Sequence, residues 1–497
     1  TQQIETFSAQ GTAGNVNIRA ESSVNIENIL SEGTQRGGDI TIDSRSQNSI
    51  NAQGTLNTFS TEGTAGDVTL TSPGSITING IRSQGMEQGG EITVASEIGE
   101  ITSTENIDSF SDQGIGGNIT LTAPESVNLA NVSSFGATES GDLIIQSRTA
   151  TVNTGNVTTQ APAGSSGSII INGTEVGTGD LTSIGTTSAG EINVEATDGS
   201  ITTYDIEITS DGTIGTLTLR ATEDITTEDI NQNAGEEDVN IEIDSGEDQS
   251  TGDINQTAPD DTNINQIAGD DINTGDINQN AGNDANLNQI AGDDINTGDI
   301  NQNTGNDANV NQTAGGDINT PVINQNAGND ANVNQTAGGD INTPVINQNA
   351  GNDANVNQTA GGNINTPVIN QTAGNESITI QNAETNLNTD TTSAISNNNN
   401  SIINPPINPE NSENNTTNFG KTNTFSTSTT SEIISISTPS NNNQTKNTAT
   451  AKEKTEKSIN NTTDTKQILK IIDTVNTNPI TVATGSDQVV MMLEENR

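Results

Sequence analysis

The chain has 497 residues, 14 Lys and Arg against 65 Asp and Glu, and a formal net charge of −51. Only 28% of residues are hydrophobic and 1% aromatic, and Cys, His and Trp are absent. These counts exclude a Ser-His-Asp triad, a Cys-His dyad, a thiolate or imidazole zinc site and any disulfide framework. The charge repels nucleic-acid phosphates and anionic lipid, and no apolar run of 18 residues exists to span a bilayer.

From the first residues a short motif recurs: Gly, a polar or small residue, then apolar, any, apolar. It reads Gly14-Asn-Val-Asn-Ile18, Gly38-Asp-Ile-Thr-Ile42, Gly66-Asp-Val-Thr-Leu70 and Gly90-Glu-Ile-Thr-Val94, and continues to Gly215-Thr-Leu-Thr-Leu219. Successive glycines are 24, 28, 24, 27, 24, 26, 23 and 25 residues apart. Alternation with period two predicts strands. Second strands follow, as at Ser23-Val-Asn-Ile26 and Ser75-Ile-Thr-Ile78, and a Phe-Ser pair repeats at Phe7, Phe59 and Phe110, more loosely at Phe135. Residues 1–222 read as one block of such coils.

In residues 223–380 the period tightens to 23. Gly269, Gly292, Gly315, Gly338 and Gly361 mark it, and an Ile-Asn-Gln triplet starts at Ile230, Ile254, Ile277, Ile300, Ile323, Ile346 and Ile369. Three strands and three turns per repeat of 23–28 residues predict an all-β chain folded as a parallel β-helix, a solenoid of about sixteen coils stacked at roughly 4.8 Å. A thin tubular core needs few large apolar residues, which reconciles order with the composition. Asn, Thr and Gln at fixed register predict hydrogen-bonded ladders along the axis.

Residues 381–465 lose the period, are rich in Asn, Ser and Thr, and read as a disordered linker. All seven Lys lie between Lys421 and Lys470. In residues 466–497, helical spacing at Ile468, Leu469, Ile471, Ile472 and Val475 is followed by a strand at Ile480 and a second helix opening near Ser486. This predicts the α/β start of a truncated domain.

Two acidic rows stand out. Asp284, Asp307, Asp330 and Asp353 form one, and Asp271, Asp294, Asp317 and Asp340 the other, with Asn363 ending it. Stacked coils place such carboxylates roughly 5 Å apart, which raises their pKa values and makes calcium an expected ligand. The competing expectation is a solvated acidic edge that blocks lateral sheet pairing. Catalysis is not expected: carboxylates repeat with the coil, and no Lys or Arg lies between Arg220 and Lys421.

The Gly-polar-Val/Ile-x-Ile/Leu units, with phrases such as Gly74-Ser-Ile-Thr-Ile-Asn-Gly80, resemble the shaft of filamentous haemagglutinin-like proteins, the secreted partners of two-partner secretion systems. The resemblance covers about residues 1–375. It implies a secreted, surface-exposed adhesin rod, exported through an outer-membrane transporter and contacting cell-surface or extracellular carbohydrate or protein ligands. It also implies a fragment, because no secretion cap or signal peptide precedes Thr1. Some members end in a CHAT domain, so a scaffold stalk for such a domain is one alternative, and a carbohydrate-active β-helix enzyme is another.

Overall fold

A computed structural model describes residues 3–45, 48–389, 391–396, 399–403, 418–419, 424–426, 481–484 and 487–490. Two compact units divide the chain, Thr1–Ser437 and Thr438–Arg497. The described residues form strands and turns with no helix.

The first unit is a parallel β-solenoid of about 16 turns. Each coil contributes three strands. Val16–Ala20 opens the first face, Val24–Ile26 the second and Ile29–Gly33 the third. Each strand pairs in parallel with its counterpart one coil on, as Val16 with Ile40 and Ile29 with Leu56. In places the second and third faces fuse into one long strand, Ile50–Ser60 and Ile76–Gly85. Pairing continues past residue 380, through Thr391–Ile395 and Asn399–Ile403.

The repeated glycine has a steric cause. A Cβ on Gly38 would lie 2.3 Å from the Gly14 carbonyl oxygen, and one on Gly315 2.0 Å from that of Gly292. Coils stack so closely at these corners that backbone fills the side-chain position.

Inside the first block the core is aliphatic and small-polar. Ile40, Ile42, Val68, Leu70, Ile92 and Val94 stack on the first face. On the third face a buried hydroxyl column closes the glycine turns: Ser83 Oγ accepts from Gly90 N at 2.8 Å and donates to Gly66 O at 2.9 Å.

The change of period near residue 223 is a change of coil shape. A column of isolated bridges from Thr12 to Ser188 ends, and first-face strands lengthen from five residues at Leu217–Ala221 to seven at Val239–Ser245. The core changes with it. Gln232, Gln256, Gln279 and Gln302 continue inward the column that begins with Ser31, and each is 1–2% exposed. A second inward column, from Gln266 through Gln358 to Gln381, follows Ile243 on the first face. Glutamine is therefore a core residue here, a placement the repeat pattern alone did not assign.

These amides are satisfied, as burial demands. Gln325 Nε2 donates to Gln302 Oε1 at 2.9 Å, to Ala308 O at 3.0 Å and to Asn332 O at 2.9 Å. Its own Oε1 accepts from Gln348 Nε2 at 2.8 Å. In the second column Gln312 and Thr320 exchange hydrogen bonds.

In the second unit, Thr481–Thr484 and Asp487–Val490 pair as antiparallel strands. The helix expected to open near Ser486 is thus a strand at Asp487–Val490. Val489 and Val490 are β-branched and favour a pleated partner over a helical turn. The helix expected around Ile468–Val475 lies outside the described residues.

Candidate functional site

Between coils, polar side chains sort by position. Acids cap most corners of the second block and carboxamides fill most of its outward face positions, with Glu242 and Asp244 as acids on a face. The cause is the turn: the residue before each strand has a backbone N–H with no partner in its own coil, and a short side-chain oxygen one coil away reaches it.

At the corner before the first face, Asp307 N donates to Asp284 Oδ1 at 3.0 Å, Asp330 N to Asp307 and Asp353 N to Asp330, both at 3.1 Å. At the corner before the second face, Asp294 N donates to Asp271 Oδ1 at 2.9 Å, Asp317 N to Asp294 at 2.7 Å and Asp340 N to Asp317 at 2.6 Å. Asn363 closes this row by donating both its N–H groups to Asp340. The two expected rows are therefore real and in register. A third, not singled out in the sequence, caps the corner before the third face through Asp253, Asp276 and Asp299. Its signal was present as the Gly-Asp that immediately precedes the Ile-Asn-Gln triplets at Ile254, Ile277 and Ile300.

In all three rows one oxygen of each capping carboxylate is committed to backbone. Among the described residues, no group of three or more acidic side chains converges to hold a metal, whereas calcium takes six to eight oxygens. Capping also works without charge: Asn118 Oδ1 accepts from Asp142 N at 2.8 Å at the equivalent corner of the first block. We expect Asp330→Asn to keep the melting temperature within the shift of about 0.5 kcal/mol typical of surface substitutions, and Asp330→Ala to cost about 1 kcal/mol. Thermal melts of the two variants check this, and calorimetric titration with calcium tests the metal expectation: binding heat lost in both variants would support it.

The like-charge effect is visible beside the rows. Asp293 has its pKa raised, chiefly by the neighbouring Asp294 carboxylate, then by burial and the carboxylates of Asp271, Asp270 and Asp317. Asp261 is raised first by burial, opposed by the N–H of Asp284, with Asp238, Asp284 and Asp260 adding to the rise. On the third face, burial raises Asp108 against the opposing hydrogen bond from Ser133 and the charge of Arg82. In each case the folded chain holds its proton more tightly than the unfolded chain. The resulting stability is fully present below the ordinary value of 3.8 and is lost as pH rises through the raised values. We therefore expect the melting temperature to rise as pH falls from 7 toward about 4. Melts followed by circular dichroism would sink this if they fell over that range.

The faces of the second block present amides instead. On the third face Asn301 Nδ2 donates to Asn278 Oδ1 at 3.0 Å, Asn324 to Asn301 at 2.8 Å and Asn347 to Asn324 at 2.9 Å. A parallel ladder two residues on runs Asn280, Asn303, Asn326 and Asn349 at 2.8–2.9 Å. The two ladders wall a groove of about 650 Å³ that extends from Asn255 to Thr372. The second face carries one ladder, Asn273, Asn296, Asn319 and Asn342.

The repeating Phe-Ser pair has a clear placement. Its serines Ser60 and Ser111 are buried, while Phe7, Phe59, Phe110 and Phe135 lie on one outward column of the third face. Phe110 and Phe135 stack with ring centroids 4.7 Å apart and planes at 14°. The same column passes through Ile184 and Thr209 to Asn233, Thr257 and Asn280. Glu32 and Gln84 interleave with the first three phenylalanines, so the aromatic positions are spaced along the same face that carries the amides further on.

Comparison with protein-family models, with curated protein sequences and with solved structures finds no match for this chain.

Proposed function

We propose that this chain is the shaft of a secreted or cell-surface adhesin of the filamentous haemagglutinin-like kind, reaching the surface through an outer-membrane transporter. It works without catalysis, as a spacer and display rod that makes weak multivalent contacts with extracellular carbohydrate or protein. The observation that carries this reading is the unbroken in-register stack of parallel coils. Such a stack fixes the distance between its ends and repeats the same side chains along it. Repetition itself speaks for display, because a contact made at one coil is available again at the next. Acidic corners support the same reading, since they keep the flanks of a long sheet structure from pairing with other sheets.

Electron microscopy of the purified chain should show rods of roughly 75 Å, at about 4.8 Å per coil. Gold-labelled antibody on intact expressing cells should mark their exterior. Labelling that appears only after the cells are opened would overturn the surface reading.

A further inference from the structure

The third face combines two surfaces that the display reading leaves without a ligand: the outward aromatic column and the amide-walled groove. We propose that this face docks an extended, uncharged polysaccharide of the flat, β-linked ribbon type. The inference rests on the display reading and names its ligand class.

Charge narrows the choice of ligand first. The chain carries −51, and its acids crowd the corners that border the groove, as Asp253, Asp276 and Asp299 do. The groove itself is lined by Asn, Gln and Thr, with no charged side chain. A polyanion, or a second copy of this chain, would bring like charge against those corners. A neutral polyhydroxyl chain brings none.

Hydrogen-bonding capacity comes next. A carboxamide offers two N–H donors and two acceptor lone pairs. The ladder through Asn301 uses one N–H toward Asn278 and one acceptor contact from Asn324. One donor and one acceptor remain for a ligand at each interior Asn rung of both walls, while Thr257 and Thr372 offer a hydroxyl in the end coils of the second. Sugar hydroxyls both donate and accept, so they match such a row without a fixed polarity.

The aromatic column supplies the third argument. A pyranose ring presents C–H-rich faces as well as hydroxyl edges, and apolar surface recognises those faces. Phe59, Phe110, Phe135 and Ile184 share a register column with Asn280 and Asn303, with Gln84, Gln160, Thr209, Asn233 and Thr257 between them, so a straight ligand would meet apolar patches spaced by polar rungs and then the amide ladder. An α-linked glucan coils and would leave a straight groove after a few units. Each contact is weak, and affinity accumulates with the number of coils engaged.

Titration calorimetry on the full chain with cello-oligosaccharides of increasing length tests the proposal, with amylose and polygalacturonate as controls. Affinity should rise with β-glucan length and exceed that for both controls. A triple variant, Asn280→Ala with Asn303→Ala and Asn326→Ala, should weaken binding about tenfold, the loss expected from about one to two net hydrogen bonds. The double variant Asn296→Ala with Asn319→Ala removes ladder rungs from the second face and should leave binding unchanged. Equal loss in both variants would mean that ladder stability, not the groove, sets binding, and would overturn the assignment. So would β-glucan binding no tighter than amylose. Rods seen by microscopy without β-glucan binding would remove this inference and leave the display reading standing; absence of rods would remove both.

Discussion

Gln325→Glu is expected to destabilise the second block by several kcal/mol at neutral pH, the scale of an unpaired buried charge. Gln325 is 3% exposed and sits mid-column. A carboxylate keeps an acceptor for Gln348 Nε2 but loses every donation to Gln302 Oε1, Ala308 O and Asn332 O. It would face those three oxygens as like charge in a water-excluded tube. Protonation restores one donor and removes the charge, so the folded-state pKa of the new group is raised. Its penalty is accordingly absent below the unfolded carboxyl value and grows as pH rises through the folded one. Denaturant melts of wild type and variant should converge at acid pH and separate at neutral pH. A separation that does not change with pH would show that the column tolerates the charge. Gln325→Leu, which removes the donor to three oxygens and one of the three acceptors of Gln348 Nε2 without adding charge, should cost less at neutral pH and show no such convergence.

Gly338→Val should be as damaging for a different reason. The Gly315 carbonyl oxygen stands only 2.0 Å from where its Cβ would be. Both groups are backbone in corners tied to the coil before, by Gly315 N to Ala291 O and Gly338 N to Ala314 O, so no rotamer change relieves the overlap. Forced overpacking in cores typically costs 1–3 kcal/mol, and backbone against backbone belongs at or above about 3 kcal/mol. Because each coil touches only its neighbours, the damage is local to one interface. Hydrogen exchange should show fast amides in the coils around residue 338 while the first block stays protected. Uniform protection would mean that the corner yields more easily than its geometry indicates.

Much of this architecture is legible in the sequence because the solenoid writes its rules at fixed intervals. Gly14, Gly38 and Gly66 announce the corner, Val16 and Ile18 the inward pair, and Asp284 and Asp307 a stacked row. What the sequence conceals is the side a polar residue takes. Gln302 reads as surface by composition, and only the register that places it between Ile300 and Thr304 turns it inward. Its burial depends on the coil above, which supplies the acceptor, so no single repeat carries the signal. Phe110 misleads in the opposite direction: a large apolar side chain sits outside because the inward positions beside it, Ser109 and Ser111, must bond the glycine corners. The acidic rows were legible as rows, but their use as caps depends on a backbone N–H one coil away.

The parallel register also decides how the shaft bears load. Backbone bonds between coils, the Gln columns and the Asn ladders all run from one coil to the next, along the direction in which the ends would be pulled. Tension therefore does not shear many bonds together; it peels the terminal coil and then meets the next one in the same geometry. Each 23-residue coil that lets go releases roughly 76–83 Å of chain at about 3.3–3.6 Å per residue. A solenoid built this way yields in even steps at a nearly constant force.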